Sequence, residues 1–258
     1  MMPAWAAASV PYFLYIALVA LVQPGLGPRA RARACAGATV GLLLAALGSS
    51  VAAFWLQLLV LPPVTLLVAY RCSGLLWVGP MERIESFFVR SDRRLRIPVI
   101  AARAPRALAE ILELAYAGVY PLIPIALAVS YAWTPYSDAD HFWTVILVTD
   151  FICFGMLPWV QTRPPRMLEH GAPWRSRFRS FNVKLLGETS IGVNTVPSGH
   201  AAEAVAAALL VSGAPAAIVA VMWMAALAVS AGAVLGRYHF AFDAMAGWAV
   251  AVAVWIVL

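Results

Sequence analysis

The chain is a succession of apolar runs, most of them near the length a helix needs to cross a bilayer. Short segments between them hold nearly all the charge. A hydrocarbon core about 30 Å thick takes roughly 20 residues of α-helix. Inside it, only helices and closed barrels satisfy their own backbone polar groups. Runs of this length predict helices. Of 258 residues, 63% are hydrophobic and 12% charged, whereas a water-soluble domain is about 25% charged. A soluble globular domain, a disordered chain and a disulfide scaffold are therefore excluded. Cys35, Cys72 and Cys153 are isolated and show no ligand spacing. The fold class that follows is all-α, a polytopic membrane helical bundle.

The first run covers about 7–24. No basic segment precedes it, so it reads as a retained helix rather than a cleaved signal peptide. The tract 34–70 is too long for one ordinary crossing. Gly48–Ser49–Ser50 marks a turn near its middle, which predicts a hairpin of helices at 34–50 and 53–70; one long tilted helix is the alternative. Residues 80–106 mix Glu82, Arg83, Glu85 and Arg90 with Ile84, Phe87 and Phe88, the pattern of an amphipathic segment at the membrane surface. Later crossings are expected at 108–131, 142–160, 200–213, 216–236 and 240–258. Pro121 and Pro124 are placed to kink the first of these.

If these crossings alternate, all 18 Lys and Arg residues fall on one face, and Asp138 and Asp140 on the other. The positive-inside rule makes the basic face cytoplasmic. The net charge of +6 then reflects orientation and anion binding, and no nucleic-acid partner is needed.

Three clusters end on that basic face: Gln161–Arg166, Pro197–His200 and Gly236–His239, the last followed by Asp243. Ionisable groups at such positions are functional candidates. His239 and Asp243 share a helical face at i and i+4. A carboxylate there fixes the imidazole tautomer and frees the other nitrogen as a nucleophile; the bland reading is a structural pair at a helix start. Ser198 is a candidate N-cap, and Gly199 permits close backbone approach. The helix start behind them suits an anion, and His200 beside that anion can protonate a leaving oxygen. Arg163 and Arg166 flank two prolines, and a planar guanidinium fits phosphate oxygens; without the other clusters they read as a positive-inside loop. Arg237 is a further guanidinium. Together the clusters predict phosphoryl transfer without a metal or other cofactor. The alternative is a transporter whose buried charges bind an anion.

Pro197–Ser198–Gly199–His200, His239-x-x-x-Asp243 with Ala246–Gly247, and Arg163–Pro164 resemble, in order and spacing, the motifs of the type 2 phosphatidic acid phosphatase (PAP2) superfamily. The resemblance covers roughly 110–258. It implies a six-helix catalytic core within 107–258, with extra N-terminal helices and the interfacial segment over 1–106, all in one membrane domain. It also implies His239 as nucleophile, His200 as acid and base, Asp243 as the orienter of His239, and Arg163, Arg166, Arg237, Ser198 and Gly199 as phosphate holders. Met156 stands where the family has Lys, and Gly232–Ala233 where it has Ser–Arg. In its Arg-poor third motif the chain is similar to the sphingomyelin and inositol-phosphorylceramide synthase branch, whose members transfer headgroups to lipid alcohols. The implied activity is a lipid phosphatase, with a phosphorylated lipid as the partner and such a transferase as the alternative. The oligomeric state is left open.

Overall fold

A computed structural model describes residues 2–51, 53–133 and 139–258. The described residues form an all-α bundle. Among the described residues, four helical stretches are long and apolar enough to cross a membrane: α1 (Ala4–Val22), α2 (Pro28–Ser50), the stretch Phe54–Gly74 and Ala216–Leu235. The third comprises α3 (Phe54–Leu59) and α4 (Leu61–Gly74). The tract 34–70 is therefore shared between two helical stretches, which meet near Val51. Asp138 lies outside the described residues. Asp140 accepts the backbone N–H groups of Ala4 and Trp5 at 2.7 and 2.9 Å, placing a carboxylate on the positive end of α1.

The charged stretch folds as α5 (Glu82–Arg94) and α6 (Ile97–Arg103). On α5, Glu85, Phe88 and Asp92 are buried, while Phe87 is exposed. Then come α7 (Arg106–Ala117) and α8 (Val119–Trp133), bent by 63° at their junction. The bend falls at Gly118. Pro121 sits in the first turn of α8, where its missing N–H costs no helical hydrogen bond, and Pro124 lies inside that helix.

Next are α9 (Ala139–Gly155), α10 (Pro165–Leu168), α11 (Phe178–Thr189) and α12 (Gly199–Leu210). At 12 residues, α12 rises only about 18 Å, too little to span a bilayer alone. It is instead the central helix, packed by α8, α9, α13 (Ala216–Leu235) and α14 (Ala241–Val257). Its buried alanines Ala204, Ala206, Ala207 and Ala208 let these neighbours approach closely, as small residues do in membrane bundles. Gly247 on α14 is one such approach: a Cβ there would lie 2.6 Å from the Ser198 carbonyl oxygen. That contact sets the start of α12 against the first turns of α14.

Candidate active site

Backbone and side-chain bonds tie the three sequence clusters into one frame. Ser198 caps α12, its hydroxyl accepting from the Ala201 N–H at 3.4 Å. The Ser198 N–H donates to the Asp243 carbonyl at 2.9 Å. Asp243 is wholly buried. Its Oδ2 accepts from the Phe240 N–H at 2.9 Å and from Asn194 Nδ2 at 2.8 Å. Asn194 Nδ2 also reaches Thr162 Oγ1 at 3.0 Å, and the Asn194 N–H donates to the Thr162 carbonyl. Asn194 thus ties the first cluster to Asp243, which the Ser198 N–H in turn ties to the second. The sequence offered no sign of it, because its partners lie 32 and 49 residues away.

His239 Nδ1 approaches Asp243 Oδ2 at 3.5 Å. That is longer than an N–H···O bond, although catalytic contacts often tighten only around substrate. The rings of His200 and His239 stand 6.2 Å apart. Stacked behind His200 is Tyr116 at 5.2 Å, and behind Tyr116 is Tyr238 at 4.1 Å. The far face of Tyr238 carries the Arg179 guanidinium at 4.6 Å. Glu113, wholly buried, locks this stack by accepting from Tyr238 Oη and Asn182 Nδ2, both at 2.6 Å, and from Trp174 Nε1 at 2.8 Å.

Both histidines open into a cavity of about 620 Å³, which Gly199, Thr195 and Arg166 also line. Among the described residues, no carboxylate pairs with Arg166. Burial beside the tyrosines pushes its guanidinium below the usual value. An unpaired cation facing two histidines at a helix start is a site for an anion. One turn deeper in α12, Glu203 lines the cavity and meets the wholly buried Asp150 of α9. Among the described residues, no three His, Cys, Asp or Glu side chains gather to hold a metal ion.

A family profile described as the PAP2 superfamily matches residues 87–257. The chain belongs to the PAP2 superfamily. No curated protein and no solved structure matches it. The match begins in α5, earlier than the sequence motifs alone placed it. Its residues explain why: Asp92 of α5 accepts from Arg237 Nη1 at 2.6 Å and from the Ala241 N–H at 3.1 Å. The helix therefore caps α14 and belongs to the frame of this PAP2 site.

Two arginines expected to hold phosphate are turned elsewhere. Arg237, in the left-handed region at φ 61°, is 2% exposed and pairs with both Asp92 and Glu169. Arg163 is absent from the cavity wall. Its Nη2 lies 2.7 Å from Glu85 Oε1, and its Nε and backbone N–H both reach Oε2. In each case a carboxylate of α5 holds the guanidinium, and Arg166 is left as the arginine of the cluster that faces the cavity.

The Glu85 clamp has a pH signature. Hydrogen bonding from Arg163 holds the Glu85 carboxyl below its ordinary value, against the opposing effect of burial. A folded-state value lowered in this way stabilises the fold fully above the unfolded carboxylate range, near ~4.3, and loses that contribution as pH falls through the depressed value. Thermal unfolding of the wild type and Glu85→Gln should therefore show a constant gap above about pH 5 that closes in acid. A gap that widens in acid would contradict the clamp.

Proposed function

We propose that this protein is a metal-independent lipid phosphatase acting through a phosphohistidine. The supporting observation is the shared cavity: His239, His200 and the unpaired Arg166 face one volume whose remaining lining is largely apolar. In this reading the phosphate sits between the two imidazoles. His239 attacks phosphorus, forming a P–N bond as the P–O bond to the lipid breaks. His200, which burial keeps neutral before substrate binds, takes up a proton as the phosphate dianion settles beside it and gives that proton to the departing oxygen. Arg166 and the first-turn N–H groups of α12 stabilise the equatorial oxygens, where charge is held through the transition state. Water then attacks phosphorus, giving a proton to His200 as the P–N bond to His239 breaks, and phosphate leaves. Asp243 orients His239, while Asn194 and the Phe240 N–H orient Asp243. Helices α7–α9 and α12–α14 form the six-helix catalytic core within 107–258.

The test is a rapid acid-free quench of purified protein turning over a phosphate-labelled lipid in detergent. Label is expected on the wild type in a form stable to base and lost in acid, and absent from His239→Ala. Phosphate release with no labelled protein at any time point would sink the covalent step. A headgroup transferase is the alternative, and it is distinguished in the same assay: turnover that begins only when a lipid alcohol is added replaces water as the acceptor.

We propose further that the active-site face is cytoplasmic, a reading supported by the basic loops under the positive-inside rule. A cysteine introduced at His170 should resist an impermeant thiol reagent in sealed cells and react once they are opened; labelling from outside would reverse the orientation.

A further inference from the structure

The cavity does not stop at the histidines. It continues as an apolar cleft between α4 and α8, floored by α9, with both flanking helices packed on α9. Leu66, Leu67, Ile123 and Leu127 line its length. Leu59 of α3 and Trp143 of α9 lie at its far end, where the rings of Phe54 and Tyr131 close to 6.5 Å across the α3–α8 gap. From Tyr70 at the polar end to Leu59 the wall rises about 17 Å, and from Phe154 to Trp143 on α9 the same distance. Leu67 and Tyr120, on opposite sides of the cleft, are both lining residues and about half exposed, so the cleft opens sideways toward the surrounding lipid.

We infer that this cleft holds one alkyl chain of the substrate and measures its length, with α3 and α4 as the measuring wall. The inference rests on the lipid-phosphatase reading for its headgroup end. Half of a hydrocarbon core about 30 Å thick is about 15 Å, close to the depth of the cleft. A lipid in the same leaflet can therefore enter through the side opening with its phosphate already level with Arg166 and Arg71, both of which line the polar end. The α3–α4 segment lies outside the family match at 87–257. The helices preceding that match thereby acquire a role in choosing the substrate.

Trp143 is a built-in reporter. At 4% exposure it is shielded from bulk lipid, so a quencher reaches it only from within the cleft. The protein in nanodiscs is titrated with octyl, dodecyl and hexadecyl phosphate, each brominated on its terminal carbon. The Trp143 share of the emission is isolated by subtracting Trp143→Phe. The hexadecyl probe is expected to quench that share and the octyl probe to leave it unchanged. Quenching that is absent, or equal for both lengths, overturns the inference. Leu66→Phe, which fills the middle of the cleft, is expected to lower the hexadecyl-to-octyl ratio of kcat/KM about tenfold, in line with one or two methylenes lost from an apolar pocket. Length-dependent quenching without phosphate release would keep the cleft assignment and remove the phosphatase reading. Phosphate release without that quenching would do the reverse.

Discussion

His239→Ala is expected to lower the rate of lipid phosphate hydrolysis by a factor on the order of 10⁴ or more while leaving thermal stability nearly unchanged. The second half of that result is the more discriminating. The imidazole makes no hydrogen bond within the protein at Nδ1 and only approaches Asp243 at 3.5 Å. The backbone of residue 239 is held separately, its N–H donating to the Ala233 carbonyl at 2.9 Å. Truncation therefore removes the proposed nucleophile and little of the frame. His200→Ala should lose a comparable factor but also some stability, since the ring stacks on Tyr116. Asp243→Ala should lose both, because the carboxylate caps α14 and holds Asn194. Phosphate release and thermal unfolding, measured on the same preparations, separate the three. A folded His239→Ala protein that keeps more than a tenth of its activity would show that the P–N bond is not formed at this residue.

Most helices were readable from sequence because length and apolarity mark them, but α12, expected as a crossing at 200–213, is too short to span a bilayer alone. The hairpin within 34–70 followed from a break in that pattern at Gly48–Ser50. The bend at Gly118 did not, because Pro121 and Pro124 drew attention to a point further along; Pro121 sits in a first turn, where it costs nothing. The two cavity histidines were readable for a different reason. Each lies at a helix start, so short motifs carry both the residue and its backbone setting. The arginines were not readable in this way. Arg163 and Arg166 have the same chemistry and flank the same two prolines. What separates them is Glu85, 78 residues earlier, on a helix that in sequence looks like a surface element. Asn194 and Glu113 were hidden for the same reason: their roles exist only through partners brought together by the bundle.

That distinction yields the second large effect. Arg166→Gln is expected to lower kcat/KM for a lipid phosphate by roughly 10²–10³, the usual loss for one donor to a developing charge, with thermal stability preserved because no ion pair is broken. Lysine should rescue it only in part, since a point charge lacks the planar fork that matches phosphate. Arg163→Gln removes the partner of Glu85 at a site whose guanidinium side chain is 42% exposed, so its effect on turnover should stay below about tenfold. Arg237→Gln should behave as neither. It leaves Asp92, 1% exposed, buried without its cation, a change that costs about 3 kcal/mol or more, so the protein should unfold early before any catalytic loss can be assigned. Phosphate release and unfolding temperature across the three variants therefore locate the phosphate. If Arg163→Gln proves as damaging to turnover as Arg166→Gln at unchanged stability, the phosphate lies on the α5 side of Pro164–Pro165. The Glu85 clamp would then have to open for each turnover, and α5 would be a moving part of the active site instead of its fixed wall.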